Sequence, residues 1–184
     1  SGDNSNTQYG ILGLIAVQLS GSLVPKETWE RSLKWFEECQ SGDGGFGYQK
    51  GGSNGSMTTA GTIGLASCYR FLGRDLAKEQ KFRSAVGWIG NRFSVSANPG
   101  GSGEWHFYYL YGLERVGAFW GDAKMGSHDW YKEGAEYLVK NQAADGGWAG
   151  RDEAFRGYNT SFAILFLKRA TSEMIGTGTI EQKK

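Results

Sequence analysis

The sequence predicts an all-α fold, a curved array of about seven helices arranged in two layers, on three observations. A unit of roughly fifty residues recurs along the chain. Its helical patterns alternate between two kinds, one apolar on nearly every side and one apolar on a single stripe. Glycines stand where those patterns stop. The repeat is plainest where Trp35, Gln40, Asp43, Gly44, Gly45 and Phe46 return as Tyr137, Gln142, Asp145, Gly146, Gly147 and Trp148. A worn copy lies between them, with Trp88 matching Trp35 and Phe93 in the place of Gln40, at offsets of 53 and then 49 residues. Gly21, Gly73 and Gly121 keep nearly the same period, and two landmark sets in step mark a repeat architecture.

The elements follow in order. Residues 9–19 are apolar or small around the whole helical circumference, the pattern of a helix buried between others. Residues 27–40 place Trp29, Leu33 and Phe36 on one stripe and Glu30, Arg31, Lys34 and Glu37 elsewhere, with Pro25 in the first turn. Residues 56–72 are again of the buried kind, with Ser56 as the expected N-cap. Residues 78–93 are amphipathic and 104–120 are buried in type. Residues 128–142 are amphipathic with Ser127 as their expected N-cap, and 158–170 close the series as a buried helix. Gly21, Gly73 and Gly121 occupy positions where a helix ends in a left-handed residue. No alternating β-branched run is long enough to predict a strand. One domain, 1–170, and a polar tail, 171–184, account for the chain.

Composition agrees. The chain has 30 Gly but 2 Pro, beside 7 Trp, 9 Tyr and 10 Phe, which excludes both collagen and a disordered linker. Gly10, Gly13, Gly61, Gly64, Gly87, Gly90, Gly112 and Gly117 fall inside helical patterns, where each costs about 1 kcal/mol against alanine. Close helix–helix contact is the expected return. A net charge of +1 without a basic stripe gives no nucleic-acid footprint. No apolar run reaches the roughly 18 residues of a transmembrane segment. Cys39 and Cys68 read as buried thiols.

The segment from Gly134 to Trp148 resembles the Gln-Trp repeat of the α/α-toroid superfamily, the terpenoid cyclases and protein prenyltransferases. The segment from Lys34 to Phe46 is similar, with Phe46 for Trp. Glu104 to Val116 and His128 to Tyr131 resemble bacterial squalene-cyclase-like repeat proteins of largely undefined activity. The resemblance covers the whole chain as a repeat and implies a partial α/α toroid with an inner concavity for an isoprenoid or other apolar small molecule. In the motif itself Gln40, Asp43, Phe46, Gln142, Asp145 and Trp148 are structural: a glutamine amide bridges a helix end to a tight Asp-Gly-Gly turn that an aromatic plugs.

The chemistry of that superfamily is only partly present. Its cyclases protonate substrate with Asp-x-Asp-Asp or bind metal with Asp-Asp-x-x-Asp, and no two aspartates of this chain lie within three positions. Prenyltransferase zinc needs Asp, Cys and His together, and only a set built on Cys68 and His106 is conceivable here; no metal or other cofactor is expected. A glycosidase-like pair would draw on Glu104 with Asp43, Asp145, Asp152 or Glu153. What remains is a polar and aromatic lining at the starts of the buried helices: Asn6, Gln8, Tyr9, Thr58, Trp105, Tyr108, Tyr109, Tyr158 and Asn159 as ligand-cavity candidates. Glu104 and His106 are the candidate acid–base pair, provided that residue 104 precedes its helix. Helix N-termini converging there would favour an anionic group.

Seven helices make an open arc, so apolar surface is expected at its ends. The chain is therefore expected to be a fragment of a longer protein or to self-associate through open edges. The alternative to a ligand-binding cyclase-like domain is a non-catalytic α/α repeat module that binds protein, peptide or glycan.

Overall fold

The computed structural model describes residues 2–150 and 155–171. Seven helices follow one another: α1 Asn4–Leu19, α2 Lys26–Cys39, α3 Gly55–Phe71, α4 Gln80–Asn91, α5 His106–Trp120, α6 Trp130–Lys140 and α7 Arg156–Leu167. A 3-10 turn, Leu76–Lys78, precedes α4. The all-α expectation holds, apart from a small antiparallel pair, Lys124–Met125 with His128–Asp129. Two residues a side are too few for a period-two pattern to register in the sequence.

Helices α1, α3, α5 and α7 pack side by side in chain order, and α2, α4 and α6 form a second layer. Of the outer helices, α2 and α4 lie against α3, and α6 lies against α5 and α7. Every residue from Gly55 to Tyr69 of α3 is buried, as its all-round apolar and small composition requires. In α2, Trp29, Leu33, Phe36 and Cys39 turn inward while Lys26 and Glu30 pair at 3.1 Å in solvent, worth a few tenths of a kcal/mol.

The helix stops fall where expected: Gly21, Gly73 and Gly121 have φ of 90°, 70° and 74°. Two starts do not. Asn54, not Ser56, caps α3 by accepting from the Met57 N–H at 2.9 Å, and the Ser56 hydroxyl donates to that same side chain. Asp129, not Ser127, caps α6 through the Lys132 N–H at 3.1 Å, because the small hairpin holds Ser127 in its turn. Caps at Asp3, Asn54 and Trp105 set the true repeat length at 51 residues.

The motif residues build two matching joints. Gln40 donates from Nε2 to Gly44 O at 2.9 Å, and Gln142 donates to Gly146 O at 2.8 Å. Asp43 Oδ1 accepts from the Gly45 N–H at 3.0 Å, and Asp145 Oδ1 from the Gly147 N–H at 3.1 Å. The plugs are seated alike: Phe46 N donates to Thr58 Oγ1 at 3.0 Å and Trp148 N to Thr160 Oγ1 at 3.1 Å. Gln40 also reaches Lys81 O at 2.8 Å, and Asp43 takes the Trp88 indole N–H at 2.8 Å, so the first joint is tied to α4. Half-way between, the corresponding positions hold Asn91, Ser94 and Ala97; of this bond set the described residues keep only a counterpart of the aspartate turn, the Ser96 N–H donating to Ser94 Oγ at 3.3 Å. There Asn98 accepts from the Ser56 N–H at 2.8 Å and donates to Glu104 O at 3.1 Å.

The helical glycines divide in two. A Cβ at Gly61, Gly64, Gly112 or Gly117 would overlap Phe46, Phe36, Thr59 or Trp130 respectively, and at Gly90 it would press on the backbone of Gly126. These residues let large side chains reach a neighbouring backbone, and fully burying a ring such as Phe36 contributes about 2–3 kcal/mol. At Gly134 the arrangement inverts, with Phe166 of an inner helix entering an outer one. Gly10, Gly13 and Gly87, expected at the same kind of contact, have open space where a Cβ would stand. The first two lie on a face of α1 that is exposed among the described residues, and the third lies on the solvent side of α4.

Candidate functional site

A cavity of about 580 Å³ opens where α5 and α7 begin. Trp105, Phe107, Tyr108, Tyr137, Phe155, Tyr158 and Phe162 line it, together with His106, Glu104, Asn159 and the backbone-rich segments around Ser96–Ala97 and Ala149–Gly150. The rings support one another. Trp105 meets Tyr108 edge-on at 6.4 Å and Phe155 at 5.7 Å, and Phe162 packs against Tyr108 at 5.6 Å. An apolar wall with a few polar groups at one end is the composition of a small-molecule site.

The polar end has a definite electrostatic sign. Trp105 caps α5 in the left-handed region, φ 59° and ψ 28°, and its side chain makes no capping bond; Phe155 likewise makes none for α7. Both helix starts therefore present partial positive charge toward the cavity. A non-glycine residue held left-handed costs on the order of 1–2 kcal/mol. It turns the Trp105 ring, 48% exposed, over the cavity mouth rather than along the helix.

His106 is the first residue of α5. Its Nε2 lies 2.8 Å from Val95 O, and because a carbonyl only accepts, Nε2 carries the proton. Burial lowers the pKa of the ring, against a smaller rise from that bond, so the neutral form dominates at pH 7 with a lone pair on Nδ1. The ring is held edge-on by Tyr137 at 5.4 Å. Glu104 precedes the helix, as acid–base work with His106 requires, and its side chain is exposed. No hydrogen bond joins the two side chains among the described residues, and the Glu104 carboxylate enters no bond or ion pair there. A ligand at the cavity mouth is what both can address.

Of the residues expected to form a ligand site, Glu104, Trp105, His106, Tyr108, Tyr158 and Asn159 come together here. Five others do not. Asn6 is exposed and donates to Asp3, its own helix cap. Thr58 is buried as the seat of Phe46. Tyr109 points the other way, into the core beside Gly55, because it lies about 100° around the helix from Tyr108. Gln8 and Tyr9 meet Tyr108 from α1: the Gln8 amide donates to its hydroxyl, and the Tyr9 and Tyr108 rings stack at 6.5 Å. Thus side chains of α1 and α5 meet directly, although α3 lies between the two helices in the row. The cavity itself gathers the starts of α5 and α7. The starts of α1 and α3 are capped, and Gly55 N–H is taken by Pro99 O at 2.7 Å. Asp43 and Asp145, the alternative carboxylates, are engaged in their turns, the latter also with Arg156; Asp152 and Glu153 lie outside the described residues.

The sequence reading missed Phe107, Tyr137 and Phe162 in the cavity wall, since each fits an ordinary core stripe, and Phe155, which falls between two helical patterns. It also missed Arg115. This side chain is 2% exposed, with Nη1 3.5 Å from Gln8 Oε1, the guanidinium 5.5 Å over the Tyr111 ring, and Nη2 without a hydrogen-bond partner among the described residues. Burial pulls its pKa down, against smaller upward effects of Tyr111, Tyr108 and Tyr9. Cys68 sits among apolar side chains of α3, its thiol pushed up to about 12 by burial. Among the described residues no three His, Cys, Asp or Glu side chains converge as a metal-binding set. None of the described helices is long and apolar enough to cross a membrane.

No protein-family model, curated protein or solved structure matches this chain.

Proposed function

We propose that this chain is a squalene-cyclase/prenyltransferase-like α/α repeat domain, and that it binds an isoprenoid or comparable apolar molecule, with a polar or anionic end, in the cavity at the starts of α5 and α7. The observation that carries the reading is the cavity wall itself: seven aromatic rings around about 580 Å³, with two uncapped helix starts and the neutral His106 at one end. Rings solvate a hydrocarbon chain, and helix starts with a neutral imidazole stabilise a head that accepts hydrogen bonds. The chain carries no Asp-x-Asp-Asp or Asp-Asp-x-x-Asp motif, so binding rather than cyclisation is proposed for it.

Trp105 makes the reading testable by fluorescence and calorimetry. Titration with farnesyl diphosphate and farnesol should give saturable binding, and squalene, which has no polar end, should bind more weakly. Trp105→Gly should lose it while folding normally, because glycine relieves the left-handed backbone. Absence of binding by all three would refute the proposal. A second reading, a glycan-binding module, draws on the half-exposed Trp105, Phe155 and Tyr158 beside Asn159 and Glu104, a set suited to stacking on a sugar face. Binding of oligosaccharides and of no isoprenoid would select it.

A further inference from the structure

The two end helices of the inner row are each bare on one stripe. On α1 the exposed residues Asn6, Tyr9, Gly10, Gly13, Ala16 and Val17 recur at helical spacing. On α7 they are Tyr158, Ser161, Ile164 and Lys168. Shifted by the 51-residue repeat, both stripes have images inside the chain, and those images are buried.

The α1 stripe maps onto Met57, Ala60, Gly61, Gly64, Ser67 and Cys68 of α3, all buried. Its two glycines map onto the slots that Phe46 and Phe36 fill, and Gly10 maps further onto Gly112 of α5, which Thr59 of α3 enters. In each case the filling group comes from the unit that precedes. The α7 stripe maps onto Phe107, Leu110, Leu113 and Gly117 of α5, and onto Ser56, Thr59, Thr62 and Ala66 of α3, again all buried. Thr59 enters Gly112, Gly117 admits Trp130, and Ser56 bonds Asn98, so these partners come from the unit that follows. The α1 stripe is thus the backward-facing half of the contact between units, and the α7 stripe is its forward-facing half. Neither is blocked by charge except for Lys168 at the end of α7.

We infer that copies of this chain associate head to tail, with α7 of one copy against α1 of the next, repeating across chains the contact that α3 makes with α5 within one. Ser161, the image of Thr59, then meets Gly10, the image of Gly112, and Tyr158 and Ile164 cover the small-residue face around Gly13. The contact is heterologous: the two surfaces differ, so each copy offers one of each, and assembly proceeds to a closed ring or an open row.

That polarity decides the experiment. In sedimentation velocity over a wide concentration series, the weight-average mass of the chain should rise above the 20.1 kDa of one copy. Gly13→Glu blocks the α1 face, and Ile164→Glu blocks the α7 face. Each replaces an exposed residue, and circular dichroism should show unchanged helicity. Each variant alone should stay at one copy's mass. An equimolar mixture should reach twice that mass and stop, because each variant retains the face that the other lacks. Ala16→Glu serves as a second α1-face variant and should behave as Gly13→Glu does. A wild-type chain that stays monomeric throughout would overturn the inference and leave these faces to a different α/α segment. Variants that fail to recombine would overturn its head-to-tail form.

Discussion

Substitution of Gly64 by alanine tests whether aromatic wedges hold the two layers together. A Cβ there falls on three carbons of the Phe36 ring, and Phe36 is wholly buried, so the ring has no free direction in which to move. Two effects oppose each other. Alanine in a helix interior gains about 1 kcal/mol over glycine. Overpacking of a tight contact costs typically 1–3 kcal/mol, and an overlap with three ring atoms belongs at the top of that range. The net expectation is a loss of about 2 kcal/mol, or a Tm lower by roughly 4–8 °C for a chain of this size. Gly87→Ala, in α4 with open space at the Cβ, should instead gain about 0.5–1 kcal/mol. Urea unfolding with fluorescence detection measures both. Phe36→Leu in the Gly64→Ala background should recover about 1 kcal/mol relative to Gly64→Ala alone, giving a favourable coupling in the double-mutant cycle. A Gly64→Ala protein as stable as wild type, or an additive cycle, would refute the wedge argument.

Gln40→Ala should cost about 2 kcal/mol in urea midpoint analysis, since its amide holds two carbonyls at a part-buried joint; Gln142→Ala, exposed and holding one, should cost less than about 1 kcal/mol. His106 has a folded pKa below its unfolded value, so the unfolded state binds the proton first. Stability should hold above the unfolded pKa near 6.5 and fall as pH drops below it, by at most about 1.4 kcal/mol per unit, until the folded pKa is passed. His106→Gln should flatten that segment in unfolding curves taken at several pH values, and an unchanged slope would assign it elsewhere. Arg115→Met removes a buried cation that has no carboxylate within ion-pair range among the described residues. Its stability should match or exceed that of wild type, because an apolar side chain of similar length avoids the desolvation cost. A loss above about 2 kcal/mol on thermal unfolding would show that Gln8 and the tyrosines already compensate the charge.

Much of the fold was legible because its signals are local. The all-round apolar composition of residues 56–72 marked a buried helix, and the stripe Trp29, Leu33 and Phe36 marked an outer one; neither depends on distant residues. The Gln and Asp-Gly-Gly joints could be read because their bonds span only two to five positions. The repeat length was misjudged at its worn copy. Neither Trp88 nor Phe93 is the true counterpart: a 51-residue step from Trp35 and Gln40 reaches Val86 and Asn91, and only the helix caps show it. The site was half legible. Glu104, Trp105, His106 and Tyr108 were found because polar groups are unusual before a buried helix. Tyr109 could not be separated from Tyr108 without the helix phase, and that phase follows from where Trp105 turns left-handed. Arg115 stayed hidden because an arginine in a helical pattern ordinarily faces water.

The lost middle joint bears on how such a chain diversifies. In the first and third turns a glutamine, an aspartate, two glycines and an aromatic share one bond set, so a change at any of them is felt by the others. Where Asn91, Ser94 and Ala97 stand instead, most of that interlocking has lapsed, and the segment running to Trp105 is held at a few points: Asn98 on Ser56, Pro99 O on the Gly55 N–H and Val95 O on His106. It is also a segment that borders the cavity, through Ser96 and Ala97. One disarmed copy of a repeat leaves a stretch that can lengthen, shorten or change its side chains without loosening the layers. New specificity in this architecture is expected to arise there first, while the two intact joints carry the frame through the change.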